Sequence, residues 1–450
     1  MKERSSFTSK LGFILAAAGS AVGLGNIWRF PYLAAKYGGG IFLLVYVILA
    51  VTFGFTLATC EIAIGRKTGL SPIGAFEKLN KKFSFIGYIA AIIPALILPY
   101  YSVIGGWVLK YFGAFITGGG LNAAKEGYFS EFISGTGEPL GWFALYIALT
   151  MLVVLFGVEK GVEKVSKIMM PVLVIISLFI GIYSLFTPGA IDGLLYYVMP
   201  DFSKFSFMTV VAAAGQLFYS MSIAMGILIT YGSYMKKDIN VESAVHKIEI
   251  FDTGIAFLAG LMIIPSVFAF SGGDRSALSA GPSLMFITLP KVFENMFGGQ
   301  IIGTLFFVLV LLAALTSSIS LAETVVSVIQ DKLKLSRKLT CLSVLGFSLI
   351  LGIPSALGYG ALGGIKILGM QFLDLFDFLT NSVMMPIAAL FTCILVGYVI
   401  KPKAVIEELE VTAPFKLKKL FTVVIKYVAP VFLVAIFLSS VLSAFGVISI

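Results

Sequence analysis

Long apolar segments, separated by short charged turns, follow one another along almost the whole chain. At roughly 20 residues per membrane-spanning helix, the uninterrupted segments predict spans near residues 40–65, 85–115, 141–158, 162–186, 251–270, 299–331, 340–357, 367–399 and 421–445. Two more segments, 11–37 and 207–236, are equally apolar but are interrupted halfway. The pattern therefore predicts an all-α membrane protein with eleven spans, numbered helix 1 to helix 11 in chain order.

Glycine and polar residues interrupt helix 1 in the run Gly19-Ser20-Ala21-Val22-Gly23-Leu24-Gly25-Asn26. Each glycine lowers helix stability by about 1 kcal/mol relative to alanine. A helix packed closely on a neighbour would also use glycine, but Asn26 and Arg29 favour a functional break, because polar groups at membrane depth are costly. Opened backbone at this depth must line a cavity or be buried in protein. Its free N–H groups and carbonyls predict a site for a small anionic solute with a metal ion such as Na⁺ beside it.

Helix 6 is interrupted in a similar way between Gly215 and Gly226, where Gln216, Ser220 and Ser222 are polar. Interrupted helices at corresponding places in two halves indicate an inverted-repeat transporter. The chain then divides into a cytoplasmic N-terminal gate segment (1–10), a first repeat with helices 1–5 (11–190), a second repeat with helices 6–10 and an extracellular cap loop at 271–297 (191–400), and a cytoplasmic loop with helix 11 (401–450).

Several polar side chains inside other spans have two interpretations. Glu61 in helix 2 must find donors, and we expect it to hold backbone N–H groups of a broken helix rather than to act in catalysis. Tyr101 in helix 3 either packs or donates its O–H to a substrate carboxylate. The Thr316-Ser317-Ser318 run in helix 8 either bonds back to its own helix or offers oxygens to Na⁺. Gly161 and Pro171 weaken the inner end of helix 5, which predicts that this end can unwind.

Composition narrows the class of protein. Of the 450 residues 59% are hydrophobic and 12% are charged, whereas a soluble protein carries about 25% charged residues. The net charge of +9 fits basic cytoplasmic loops better than nucleic acid, so the expected partners are the lipid bilayer and a small solute. The single histidine, His246, leaves no His/Cys metal centre, and no nucleophile–base pair indicates an enzyme. The basic N-terminus is expected in the cytoplasm of a plasma-membrane protein, and helix parity then places the C-terminus outside.

The run from Gly19 through Asn26-Ile27-Trp28-Arg29-Phe30-Pro31, followed by Gly38-Gly39-Gly40, closely resembles the first-helix signature of the neurotransmitter:sodium symporter family. The similarity extends from about Arg4 to helix 10. The resemblance implies a five-plus-five inverted-repeat fold with discontinuous helices 1 and 6, here followed by an eleventh helix. It also implies Na⁺-coupled transport of amino acids, as in the bacterial members.

The resemblance also implies a substrate site. The substrate carboxylate would take the N–H groups of Leu24 and Gly25 and the Tyr101 hydroxyl. The whole site would comprise Ala21, Gly23, Leu24, Gly25, Ile97, Tyr101, Tyr219, Ser220, Ser222, Met225, Ser317 and Leu321. Such a pocket holds no charge for an acidic or basic side chain, and Gly23 stands where monoamine carriers have aspartate. We therefore expect a hydrophobic or aromatic L-amino acid as substrate.

Two sodium ions are implied by the same resemblance. The first would bind the Ala21 carbonyl, Asn26, Ser220, a helix 7 oxygen from Asp252, and the substrate carboxylate. The second would bind the carbonyls of Gly19, Val22 and Ala313 and the hydroxyls of Thr316 and Ser317. Because the substrate supplies part of the first ion's site, the binding of each favours the other.

Two gates are implied as well. Arg29 and Asp377 would close the outside above an aromatic lid of Tyr101 and Tyr219. Arg4 and Asp331 would pair across the inner mouth, with Phe7 packed nearby. Both pairs have ordinary salt bridges as an alternative, but their order along the chain matches that of the family, which favours gating.

The sequence departs from the family pattern on helix 7. Asp252 replaces an asparagine found in many members, and Ala256 replaces a serine near which chloride-dependent relatives hold an anion. Two Na⁺ and one substrate carboxylate leave a positive charge uncompensated in a low dielectric, and a fixed carboxylate can balance it. We therefore predict chloride independence.

Two other functions, a non-transporting receptor and an ion channel, are alternatives to transport. A non-transporting amino-acid receptor on the same fold would have no need of gates or of the Gly161/Pro171 pair. An ion channel needs a continuous polar pore, but Phe30, Tyr101 and Tyr219 lie across the expected path. Symport by alternating access is therefore the favoured function.

Overall fold

The computed structural model describes residues 6–273, 278 and 281–448. Nine helices in this part of the chain are long and apolar enough to cross a membrane: Gly40–Thr68, Lys81–Ile116, Gly137–Leu155, Val158–Ser184, Val241–Ser271, Gly299–Leu333, Arg337–Leu357, Phe372–Val399 and Lys418–Ala444. They are helices 2–5 and 7–11. Helix 1 consists of Lys10–Ala21 and Gly25–Lys36, and helix 6 consists of Phe207–Ser220 and Ile227–Ser233. The predicted all-α fold with two discontinuous helices is confirmed.

The break in helix 1 bends the span by 55°. Its first half ends at Ala21, and Val22 has an extended backbone with φ −76° and ψ 103°. The second half begins with a π-helical turn, Gly25–Arg29. The bend leaves backbone groups of residues 22–24 outside the helical ladder, as the glycine-rich run predicts.

The break in helix 6 is more contorted. Ser222, Ala224 and Gly226 have φ values of 55°, 64° and 71°, in the left-handed region that glycine adopts freely and other residues adopt at a cost. The Ala224 N–H donates to Glu61 Oε1 over 2.8 Å. Glu61 therefore holds the open backbone of a broken helix, as predicted, and helps to maintain this strained conformation.

Polar residues extend some helices beyond their apolar segments. Helix 7 begins at Val241, ten residues before the predicted start, because the Asn240 side chain caps it by accepting the Ser243 N–H over 2.7 Å. The inner end of helix 5 is wound as a π-helical turn, Val158–Glu163. Gly161 lies in that turn, where a Cβ would be 2.1 Å from the Val153 carbonyl oxygen. The predicted unwinding of this end therefore has to start from a closely packed turn.

The cap loop between helices 7 and 8 lies partly outside the described residues. Its described part contains a π-helical turn, Leu284–Thr288, and a short helix, Leu289–Glu294. Tyr111 of helix 3 donates its hydroxyl to the Phe286 carbonyl over 2.9 Å, and Trp107 packs edge-to-face on the Phe286 ring. The loop is thereby fixed to the outer end of helix 3.

Candidate functional site

The two helix breaks face each other across a small cavity. Every substrate-site residue predicted from the sequence contributes to its wall. The full lining is Ser20, Ala21, Gly23, Leu24, Gly25, Asn26, Ile97, Tyr101, Tyr219, Ser220, Ser222, Met225, Ile227, Ser317 and Leu321. Ser20 and Ile227 were not predicted. Both residues lie next to a helix break, and the bend of the backbone there brings them to the wall of the same cavity.

Donors of helices 1 and 3 converge on this cavity. The Leu24 N–H donates to the Tyr101 hydroxyl oxygen over 3.4 Å, and the Gly23 N–H donates to Asn26 Oδ1 over 3.0 Å. Tyr101 is 5% exposed. A solute carboxylate placed here would meet backbone N–H groups and a phenol in a site with little water, where such bonds are strong.

Residues predicted for the first sodium ion surround a buried carboxylate. Asn26 Nδ2 donates to Asp252 Oδ1 over 2.8 Å, and Ser220 Oγ donates to the same oxygen over 2.6 Å. Tyr46 Oη donates to Asp252 Oδ2 over 3.2 Å. Asp252 is fully buried, and no Lys or Arg among the described residues forms an ion pair with it. A cation beside it would supply the missing counter-charge.

Tyr46 is a site residue that the sequence analysis missed. It lies in the continuous apolar run of helix 2 and is fully buried. A phenol inside a membrane span needs a partner for its O–H, and this need could have marked Tyr46 as a candidate site residue. It does not identify the partner, because Asp252 lies 206 positions away.

Residues predicted for the second sodium ion bring helices 1 and 8 together. Ser317 Oγ lies 3.3 Å from the Gly19 carbonyl oxygen and 3.1 Å from the Val22 carbonyl oxygen, and its one O–H can donate to either. Thr316 Oγ1 lies 3.1 Å from the Ala313 carbonyl oxygen. A Cβ on Gly19 would lie 3.1 Å from Thr316 Cβ, so the helices are in close contact. Carbonyl and hydroxyl oxygens at a helix break are typical ligands for Na⁺.

A wider cavity adjoins the small cavity on the side that the sequence predicts to face outside, and is called the outer cavity. Tyr101 and Tyr219 line both cavities and so form the layer between them. Arg29 lies over the Tyr219 ring, 5.5 Å from its centroid. Asp377 accepts hydrogen bonds from Tyr100 Oη (3.2 Å) and Asn381 Nδ2 (2.5 Å).

Arg29 and Asp377 both line the outer cavity but form no ion pair with each other in the described structure. The pair predicted to form the outer gate is therefore apart in this conformation, and the outer cavity reaches down to the two tyrosines. Gating by the pair stays a prediction.

The segment before helix 1 covers the end of the protein that the sequence predicts to face the cytoplasm. Phe7 is fully buried, donates its N–H to the Tyr234 carbonyl over 3.1 Å, and packs on the Tyr231 ring. The Thr8 N–H donates to Glu163 Oε2 over 2.7 Å. Of the predicted inner pair, Asp331 accepts the Ser71 N–H over 2.9 Å, while Arg4 lies outside the described residues.

The sequence profile of the Sodium:neurotransmitter symporter family matches residues 4–119 and 128–447. The chain belongs to this family. It is therefore a sodium-dependent transporter and not an enzyme, and its apolar helices make it a multi-pass membrane protein. The resemblance inferred from the glycine-rich run of helix 1 is confirmed.

The chain has similar proteins in both bacteria and animals. An uncharacterised sodium-dependent transporter of Bacillus subtilis, YhdH, is 36% identical over 409 residues, which are 90% of each protein. The human sodium- and chloride-dependent GABA transporter 2 is 29% identical over 91% of this chain and 75% of its own. The crystal structure of MhsT in complex with L-phenylalanine superposes with a TM-score of 0.87 at 38% identity, over 97% of this chain and 100% of that one.

Proposed function

We propose that this family member couples the inward movement of a hydrophobic or aromatic L-amino acid to two sodium ions by alternating access, and that it does so without chloride. The observation that carries the proposal is the pocket between the two helix breaks, with its wall of backbone groups and uncharged side chains. Backbone donors lie at one end of it, and oxygen-rich clusters lie beside it. The complex of MhsT with L-phenylalanine supports the same class of substrate.

The walls of the cavity argue for an apolar substrate side chain. Ile97, Met225, Ile227 and Leu321 contribute aliphatic surface, and none of the lining residues is charged. A buried ionic side chain without a partner costs several kcal/mol, so acidic and basic amino acids are disfavoured. Met225 is flexible and can adapt to side chains of different shape.

Coupling follows from the position of the first sodium cluster. Asn26 and Ser220 line the cavity and also contact Asp252. A substrate carboxylate at the Leu24 N–H would therefore share the space with the ion, and each ligand would increase the affinity for the other. The conformation described here, open outside and closed inside, is the one that would load both from outside, given a cytoplasmic N-terminus and an external C-terminus.

Uptake into proteoliposomes tests the proposal. The purified chain is reconstituted, and radiolabelled phenylalanine, tyrosine, tryptophan, leucine, glutamate, lysine and GABA are offered with an inward Na⁺ gradient, with K⁺ replacing Na⁺ as the control. We expect Na⁺-driven accumulation of the apolar amino acids, unchanged when gluconate replaces chloride on both sides. Binding of these amino acids without accumulation would instead indicate a receptor, and loss of uptake without chloride would refute chloride independence.

The second sodium ion is tested by Thr316→Val, which keeps the side-chain volume and removes the hydroxyl. A contact between a charge and a neutral polar group is worth about 1.5–3 kcal/mol, so the Na⁺ concentration for half-maximal uptake should rise about tenfold or more. Thr304→Val is the matched control, because Thr304 also bonds back to its own helix 8 but contacts Phe115 near the outer end. An equal effect of the two substitutions would argue against a sodium ligand at Thr316.

A further inference from the structure

Tyr231, in the inner half of helix 6, touches the N-terminal segment and helix 8 at the same time. Its ring is fully buried and lies edge-to-face on Phe7, with 5.5 Å between the centroids. Its hydroxyl donates to Ser320 Oγ over 2.8 Å. Helix 6 and helix 8 are thus joined at this level by a buried hydrogen bond under the aromatic contact that closes the inner mouth.

Ser320 links Tyr231 to the turn of helix 8 that contains Thr316 and Ser317. Its hydroxyl donates to the Thr316 carbonyl, one turn earlier, over 2.9 Å. A serine has one hydrogen to donate and two lone pairs to accept with, so the bond to Thr316 leaves Ser320 Oγ available as the acceptor for Tyr231. Ser320 and Thr316 are 1% and 2% exposed, so water does not compete for either bond. The three residues form one directed chain that ends at the residue whose own hydroxyl belongs to the second sodium cluster.

We propose that Tyr231 is a positioning residue for the second sodium site. Its hydroxyl holds the Thr316–Ser317 turn of helix 8 in register with the inner half of helix 6, and its ring is held in place by Phe7. This role rests on the sodium site of the proposed function. Since Gly19 and Val22 of helix 1 meet the same turn through Ser317, an ion there and the Phe7 contact both favour the closed inner side. Each therefore strengthens the other.

The positioning role of Tyr231 is tested by measuring sodium binding directly, so the identity of the substrate is not needed. Binding of ²²Na⁺ to the purified full-length chain is measured by scintillation proximity for the wild type, Tyr231→Phe, Ser320→Ala and the double variant. Tyr231→Phe keeps the ring on Phe7 and removes the hydroxyl. We expect each single variant to raise the Na⁺ concentration for half-maximal binding about fivefold, the size expected for one hydrogen bond. The double variant should stay within about twofold of the singles, because both remove the same bond.

Tyr197→Phe is the control for a merely structural role. Tyr197 is also fully buried, and its hydroxyl donates to the Phe257 carbonyl over 3.0 Å, away from helix 8. Tyr197→Phe and Tyr231→Phe should lower the melting temperature alike, but only the second should weaken ²²Na⁺ binding. Ser320→Ala retains the tyrosine and its packing, so it tests the bond even if Tyr231→Phe folds poorly.

The outcomes separate this inference from the proposed function. A wild type that binds no ²²Na⁺, or a Thr316→Val variant that binds it as the wild type does, would remove the second sodium site itself. Normal binding in Tyr231→Phe, with a sodium-binding wild type and a weakened Thr316→Val variant, would overturn the positioning role alone. A double variant whose effect is the product of the two single effects would also overturn it.

Discussion

Replacing Asp252 with asparagine is expected to lower sodium-driven uptake about a hundredfold in chloride-free buffer. Asparagine keeps the shape and an acceptor oxygen for Asn26 and Ser220, which both donate to Asp252 Oδ1, so the change removes charge more than structure. Two opposite charges about 4 Å apart at an effective dielectric constant of 20 attract by about 4 kcal/mol. Since a factor of ten in an equilibrium constant corresponds to about 1.4 kcal/mol, that attraction is more than enough for the expected loss.

A second substitution should restore uptake in the presence of chloride. Ala256 lies one turn from Asp252 on helix 7 and is buried. The Asp252→Asn/Ala256→Ser double variant would add a hydroxyl where chloride-dependent relatives have one, so we expect its uptake to rise with chloride concentration. Ala256→Ser alone should remain insensitive to chloride, because its carboxylate still balances the charge. The measurement is the initial rate of uptake at constant Na⁺ as chloride replaces gluconate.

Unchanged uptake by Asp252→Asn in chloride-free buffer would show that the carboxylate does not compensate the sodium charge. Chloride-stimulated uptake by the wild type would contradict the prediction more directly. Loss of all uptake by both variants, with normal ²²Na⁺ binding, would place the role of Asp252 in a step after ion binding.

Local chemistry was sufficient to predict the places where the fold opens. Glycines and Asn26 in an otherwise apolar span predict the break in helix 1, and a carboxylate such as Glu61 at membrane depth predicts a partner among free N–H groups. Both are confirmed, with Glu61 holding the Ala224 N–H. The backbone conformation inside the helix 6 break was not predictable, because Ser222 and Ala224 adopt positive φ angles that their side chains disfavour. Tertiary contacts impose that conformation.

Contacts between distant residues account for what the sequence did not reveal. Tyr46 meets Asp252, and Glu163 meets Thr8 across 155 positions. Neither the periodicity of apolar residues nor the spacing of polar ones along the chain indicates which distant residues form such pairs. The first turns of helix 7, after Asn240, were not predicted because they contain charged residues. An apolar pattern indicates only the part of a helix that lies in the membrane.

The sequence does not determine which of the two predicted gates is open and which is closed in a given conformation. Arg29 and Asp377 are predicted to pair in one conformation and to separate in another, and the populations depend on small free-energy differences. Here the two line the outer cavity without pairing, while Phe7 is fully buried. A sequence that encodes both conformations predicts the residues that form a gate, but not which of the two gates is closed.

Gly23→Val is expected to abolish transport, because it fills the cavity between the helix breaks. A Cβ at Gly23 would lie 2.8 Å from Ser317 Oγ and 3.2 Å from Tyr101 Oη, and valine adds two further carbons. Overpacking a site costs typically about 1–3 kcal/mol, and here the added atoms also occupy the space of the substrate. We expect Na⁺-dependent uptake of every apolar amino acid to fall at least about a hundredfold.

Gly254→Val is the matched control for this substitution, since Gly254 lies on an exposed face of helix 7 where a Cβ would meet no atom within 4 Å. It should leave uptake within about twofold of the wild type, as is usual for surface substitutions. The melting temperature separates a blocked site from a damaged fold, whereas ²²Na⁺ binding does not, because the added Cβ would also press on Ser317 of the second sodium cluster. A melting temperature close to that of the wild type, without uptake, is the result that fits a substrate cavity at Gly23. Uptake at the wild-type rate in Gly23→Val would mean that the substrate binds elsewhere, since no amino acid can share this space with a valine side chain.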